Sequence, residues 1–184
     1  GNQYNHELMV IGRAVNGWTE GVFPNELTEP ILSNEYAEKV FNSVVGSNNY
    51  CPMTWVTECW GNSEDYNTKR SAFWRVIRTI VGELGISSIN EKSWPSHIIW
   101  SNLFKVAPAD GGNPNKTLCS IQQSGCISLL DLELSTYIPK RLLLLTGLSW
   151  AEPFLMRICP EFKPVSNSHV EAVGQCKFSS EYIS

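Results

Sequence analysis

The stretch Ser101-Asn102-Leu103-Phe104-Lys105-Val106-Ala107-Pro108, which leads into Asp110-Gly111-Gly112-Asn113-Pro114, decides the fold of this chain. An apolar run at 97–100 precedes it, which indicates a buried strand that ends in a loop rich in Pro, Gly and Asn. Open α/β sheets bind their ligands at the carboxyl ends of the strands. We therefore expect any site to lie here, where Asn102 either binds a ligand or satisfies a backbone group at the strand end.

The composition bounds the class of protein. The chain has 184 residues, of which 42% are hydrophobic and 11% aromatic, and this content fits a single domain over 1–184. A formal net charge of −4 argues against a protein that coats DNA by charge alone, so any nucleic-acid contact must be local. Neither a signal peptide nor a membrane span is recognisable. We expect a cytoplasmic monomer without membrane contact.

Six cysteines are present, and they form neither a CxxC pair nor a zinc-binding spacing. This pattern favours reduced, mostly buried thiols in a cytosolic protein.

Strand-like and helix-like segments alternate along the chain. This alternation predicts a three-layer α/β/α fold around a short, mostly parallel sheet of about four strands. The expected strands lie at 8–15, 98–106, 141–146 and 170–173. The expected helices lie at 35–45, 71–84, 117–136 and 150–158, the last one interrupted near Pro153. The segment 53–59 fits either a short strand or irregular structure.

Two sequence features suit a nucleic-acid ligand. Positive charge is densest around the start of the helix predicted at 71–84, in Lys69, Arg70, Arg75 and Arg78. This cluster is either a solvated helix face or a phosphate contact, for which Arg75 is the candidate. The long loop after the first strand carries Trp18 and Phe23. These rings either stack on a flat ligand or cover the edge of the core.

Three stretches, in this order, resemble the uracil-DNA glycosylase superfamily. They are the glycine turn at 12–17, the aromatic pair at 73–74 that opens a helix as in the mismatch-specific branch, and the segment 101–114, which is similar to the iron-sulfur branch. The run at 142–147 also resembles a strand of that branch and its terminal glycine. The resemblance implies an enzyme that hydrolyses the N-glycosidic bond of a flipped deaminated or modified base in DNA.

The resemblance also implies roles for single residues. Asn102 would read the edge of the base, because its carboxamide offers one donor and one acceptor side by side. Trp18 or Phe23 would stack on the base. Asn16, in the glycine turn, would orient the attacking water, as an asparagine does in the mismatch-specific branch. His169 is the only late histidine, and both a catalytic and an ordinary structural role stay open for it.

The chain departs from the family pattern at several positions. Arg13 stands where the iron-sulfur branch has its water-activating glutamate, and a guanidinium suits a phosphate instead. Lys105 and Asn113 are further candidates for phosphate contacts. Val106 stands where that branch has a cluster ligand, and only Cys126 lies near a family cysteine. We therefore expect no iron-sulfur cluster and no other cofactor.

Two classes of function follow. The first is a DNA glycosylase without the usual carboxylate, and the second is a non-catalytic module that binds a nucleobase, a nucleotide or nucleic acid on the same fold. Arg13 favours the second, and retention of the scaffold alone for an unrelated small molecule is a third possibility. The chain ends about where the family has its second catalytic motif. We accordingly expect either a degenerate protein or one without its natural C-terminal end.

Overall fold

The computed structural model describes residues 1–15, 51, 53–64, 66–108 and 111–163. These residues form a mixed α/β fold with a small, open sheet of three parallel strands. The strands are β1 (Leu8–Ala14), β2 (Ile99–Phe104) and β3 (Arg141–Leu144). The helices are α1 (Trp55–Glu58), α2 (Ala72–Glu83), α3 (Lys116–Tyr137) and α4 (Leu148–Ile158), and a 3₁₀ turn at Trp94–His97 precedes β2.

Strand β1 lies in the middle of the sheet. It pairs in parallel with β2 on one side and with β3 on the other. Its residues 8–12 are all buried, which explains why its sequence begins with an uninterrupted apolar run. In the register with β2, Gly12 lies opposite Asn102. Because the strands are parallel, their carboxyl ends all lie at one edge of the sheet.

Each face of the sheet has its own hydrophobic core. Met9 and Ile11 pack on one face against buried residues of α3 and α4. Leu8 and Val10 pack on the other face against buried residues of α2. Since successive side chains on a strand alternate between faces, position 12 belongs to the α2 face and position 13 to the opposite face.

Short polar signals define the helix starts near the site. Ser71 caps α2 by accepting a hydrogen bond from the Trp74 amide at 3.5 Å. Asn115 caps α3 by accepting one from the Leu118 amide at 2.9 Å. The buried stripe of α3 repeats every four residues and contains one polar member, in the series Leu118, Gln122, Cys126, Leu130 and Leu134.

The predicted strands at 8–15, 98–106 and 141–146 and the predicted helices at 71–84 and 117–136 are confirmed, with ends shifted by one or two residues. The undecided segment 53–59 contains the short helix α1. The expected interruption near Pro153 is wrong, because α4 continues through this proline while Phe154 and Leu155 bury their side chains. The helix predicted at 35–45 and the fourth strand predicted at 170–173 lie outside the described residues.

The cysteines differ in part from the expected reduced, buried set. Cys51 and Cys126 are free and buried, and Cys59 and Cys119 are free and partly exposed. Cys159, which follows α4, is disulfide-bonded. The spacing of cysteines in the sequence did not reveal this bond, since a disulfide depends on where two distant segments meet.

Candidate functional site

Asn102 and Gly12 meet at the carboxyl-terminal edge of the sheet. They are register partners on adjacent strands, and Asn102 is only 7% exposed. A Cβ atom placed on Gly12 would overlap Oδ1 of Asn102 and would lie 3.5 Å from its Cγ. The carboxamide therefore lies directly against the backbone of Gly12, in space that a side chain on β1 would otherwise occupy.

An aromatic cluster borders this carboxamide on the α2 face. The cluster consists of Trp55, Phe73, Trp74 and Trp100, whose neighbouring rings have centroids 5.1–6.4 Å apart. Phe73 is nearest to the junction, because its Cε2 lies 3.5 Å from the position that a Gly12 Cβ would take. The rings exclude water from this face and thereby strengthen any hydrogen bond that Asn102 makes.

The Asn102 carboxamide has no hydrogen-bond partner among the residues that the structure describes. An asparagine side chain carries an acceptor oxygen and a two-proton donor nitrogen. The strand end therefore holds a donor and an acceptor that no described residue satisfies, beside an aromatic wall. This pattern complements a flat heterocycle with adjacent N–H and C=O groups.

Arg13 lies on the other face of the same edge. Its Nε donates a hydrogen bond to the carbonyl of Thr146, which follows β3, and its guanidinium carbon lies 5.5 Å from the centre of the Trp150 ring. These two contacts orient an exposed guanidinium beside the sheet edge. A guanidinium held in this way can bind a phosphate or a carboxylate with its remaining N–H groups.

A cationic loop, defined here as Lys69, Arg70 and Arg75, lies at the start of α2. All three residues are exposed, and none of them forms an ion pair with another described residue. Nη1 of Arg75 donates to the carbonyls of Arg70 at 3.0 Å and Lys69 at 3.4 Å. The preceding Thr68 is buried and donates to the carbonyl of Val56 at 2.7 Å. The cationic loop is therefore held near Phe73, and no acidic side chain among the described residues neutralises its positive charge.

Lys105, unlike the residues of the cationic loop, forms an ion pair. Its ammonium group donates to Glu133 at 2.7 Å and to the Ser101 hydroxyl at 2.6 Å, both on the α3 side of the sheet. The Ser101 hydroxyl donates in turn to Glu133 at 2.8 Å. Because its charge is paired on the side away from Asn102, we leave Lys105 out of the proposed ligand contacts.

Asn113 is exposed in the loop that joins β2 to α3. It follows Gly111 and Gly112, whose φ angles of 91° and 84° are ones that glycine adopts readily. The Gly111 amide donates to the carbonyl of Pro108 at 3.1 Å. This turn brings Asn113 close to the start of α3, where its side chain remains accessible to a ligand.

Gln122 is the residue near the site that the sequence reasoning missed. It is 8% exposed, lies on the buried stripe of α3, and hydrogen-bonds to the backbone of Lys105 and Val106. The signal that could have identified it is a glutamine at a position where the four-residue repeat predicts an apolar side chain.

Four predicted site residues, Asn16, Trp18, Phe23 and His169, lie outside the described residues. Within the described residues, no three His, Cys, Asp or Glu side chains are grouped closely enough to hold a metal ion. None of the helices in the described ranges combines the length and hydropathy that a membrane span requires.

Comparisons with protein-family models, with curated proteins and with solved structures find no match to this chain.

Proposed function

We propose that this chain is a uracil-DNA glycosylase-like protein that holds a flipped, deaminated or modified base at the sheet edge and hydrolyses its N-glycosidic bond. The observation that carries the proposal is the contact between the Asn102 carboxamide and the Gly12 backbone at the ends of two adjacent parallel strands. We also propose that the whole chain, 1–184, forms a single domain in three layers, with a fourth strand at 170–173.

Recognition would depend on Asn102 and the aromatic cluster. The carboxamide can donate to a base carbonyl and accept from the adjacent ring N–H, which is the pattern on the edge of uracil. Neighbouring aromatic rings exclude water and so raise the strength of these two hydrogen bonds. A base flipped out of a duplex loses its stacking, and aromatic contacts of this kind compensate in part for that loss.

Hydrolysis needs groups beyond base recognition. Negative charge develops on the departing base, and donors aimed at its oxygen stabilise it in the transition state. The Asn102 amide nitrogen is one such donor. Asn16 is our proposed water-orienting residue, His169 is a further candidate for stabilising the base, and Trp18 or Phe23 would stack on it. The ligand would be DNA, with phosphates bound by the cationic loop and Asn113.

The placement of Arg13 favours a second candidate, a non-catalytic module that binds a nucleobase or nucleotide. An oriented guanidinium at this edge cannot accept a proton from water, but it can bind the sugar-linked phosphate of a nucleotide whose base Asn102 reads. The two candidates share the Asn102 contact and differ only in whether the glycosidic bond is broken.

The remaining predictions concern the oligomeric state and the cellular location of the protein. We propose a monomer. The cytoplasmic location stays a prediction.

Asn102→Ala tests the shared contact. We expect the preference for a uracil-containing oligonucleotide over the same strand without uracil to fall about 5- to 150-fold, because a bidentate base contact contributes about 1–3 kcal/mol of discrimination. Base release from single-stranded and mismatched DNA, together with binding by fluorescence anisotropy, measures both candidates. Asn90→Ala, at an exposed position beyond the far end of α2, is the matched control.

The outcomes separate the candidates. Base release that depends on Asn102 supports the glycosylase. An Asn102-dependent base preference without release supports the binding module. If the wild-type protein neither releases nor prefers any modified base, both candidates are wrong.

Arg75→Ala tests the cationic loop. Loss of one phosphate contact should weaken binding equally for all sequences and reduce the slope of log affinity against log salt by about one. Binding isotherms at four or more salt concentrations measure this slope. Arg157→Ala, which removes an exposed arginine from α4, should leave the slope unchanged. An unaltered slope in Arg75→Ala would exclude Arg75 as a phosphate contact.

A further inference from the structure

Gln122 connects α3 to the chain that leaves β2. Its Oε1 accepts hydrogen bonds from the amides of Lys105 at 3.1 Å and Val106 at 2.9 Å, and its Nε2 donates to the Val106 carbonyl at 2.9 Å. The Cys126 thiol adds a fourth contact, donating to Oε1 at 3.4 Å. Burial raises the pKa of this thiol, which keeps it protonated as a donor. Both polar atoms of the Gln122 carboxamide thus form hydrogen bonds, with the backbone at 105–106 and with Cys126 of the same helix.

These contacts replace the pairing that β2 loses at its end. The ladder with β1 stops at Phe104, so the amides and carbonyls at 105–106 need partners from elsewhere. A glutamine carboxamide has the same donor and acceptor as a peptide group, and Gln122 therefore continues the hydrogen bonding of the strand for two more residues. A leucine at this position would fill the stripe but leave three backbone groups unpaired.

The segment that Gln122 holds lies between two parts of the proposed site. Asn102 lies on β2, three residues before Lys105, and Asn113 lies in the loop that continues from Val106 to the start of α3. Gln122 joins both ends of this loop, because it belongs to the second turn of α3 and binds the backbone just after β2. The Lys105 contacts with Glu133 and Ser101 fasten the same segment at a second point.

We propose that Gln122 is a positioning residue for base recognition, which fixes the orientation of Asn102 and of the Asn113 loop by binding the backbone at 105–106. The inference rests on the proposed function, since it assigns Gln122 a role in the discrimination that Asn102 provides. It predicts that base preference, rather than overall affinity for a strand, depends on the hydrogen-bonding capacity of this buried carboxamide.

Gln122→Glu provides a reversible test. A carboxylate keeps an acceptor for the two amides but places its second oxygen against the Val106 carbonyl, and this repulsion displaces the segment. The protonated acid restores a donor to that carbonyl; burial and the facing Val106 carbonyl favour this protonated form, whereas the two amide donors at 105 and 106 favour the carboxylate. We expect base preference about tenfold below the wild-type level at pH 8 and a recovery toward the wild-type level as the pH falls and the carboxylate takes up its proton, while the preference of the wild type stays constant.

Matched variants separate positioning from folding. Gln123→Glu, at the next and partly exposed position of α3, should show no pH-dependent preference. Gln122→Met keeps the length and approximate volume of the side chain. It should lose base preference at every pH while its affinity for an unmodified strand, measured in the same buffer, stays within about twofold of wild type. If Gln122→Glu fails to fold, Gln122→Met alone carries the test.

Two negative results have different meanings. A wild-type protein without base preference overturns the proposed function and this inference with it. A wild-type protein with base preference that persists in folded Gln122→Met overturns the inference alone, and so does a wild-type level of preference in folded Gln122→Glu at pH 8.

Discussion

Replacing Phe154 with alanine is expected to lower the free energy of unfolding by about 3–5 kcal/mol, the usual cost of removing a large buried aromatic side chain. Phe154 lies on α4 and is completely buried in the core on the α3 and α4 face of the sheet. Its ring meets Phe104 edge-on at a centroid distance of 5.2 Å. The alanine variant loses this contact and leaves a cavity beside the strand that carries Asn102.

Urea denaturation followed by tryptophan fluorescence measures this change. Met156→Ala, two residues further along α4, removes a side chain that is 71% exposed and should alter stability by less than about 0.5 kcal/mol. A similar loss in both variants would mean that α4 does not pack on the sheet through Phe154. The comparison therefore tests the placement of the helix that the sequence predicted to be interrupted.

The elements that could be predicted from the sequence are those that local patterns determine. The apolar run at the start of β1 indicates a strand buried on both faces, and the structure places it in the centre of the sheet. The helix α2 follows from the apolar repeat that includes Ile77 and Val81, with Ser71 as its cap. The meeting of Gly12 and Asn102 at one edge follows from the parallel arrangement alone, because both residues lie near strand ends.

The side-chain partners near the site could not be predicted in this way. Lys105 pairs with Glu133, and Gln122 binds the backbone of Val106; these residues are 28 and 16 positions apart in the sequence. Such pairs depend on how far α3 is rotated and shifted against β2, which no local pattern determines. The continuation of α4 through Pro153 has a similar cause, since burial of the next two side chains outweighs the missing amide donor.

Replacing Gly12 with alanine is expected to lower base preference as much as Asn102→Ala, about 5- to 150-fold, while leaving the protein folded. The new Cβ would overlap Oδ1 of Asn102, so the carboxamide must rotate away from its place against Gly12, where we propose that it binds the base. The overlapping atom is at the end of a rotatable side chain, and Phe73 at 3.5 Å is at ordinary contact distance. The cost in stability should therefore be about 1 kcal/mol, typical of a strained rotamer.

A double-mutant cycle isolates the interaction between these two positions. In the Asn102→Ala background the overlapping oxygen is absent, so Gly12→Ala should cause no further loss of base preference, and the two changes should be strongly non-additive. Oligonucleotide binding and urea unfolding of the four proteins give the two coupling energies. Gly125→Ala, in α3 with open space around its Cβ position, controls for the substitution itself and should leave base preference unchanged. A Gly12→Ala protein that keeps the wild-type base preference would show that the Asn102 carboxamide, held against the β1 backbone, is not the group that reads the base.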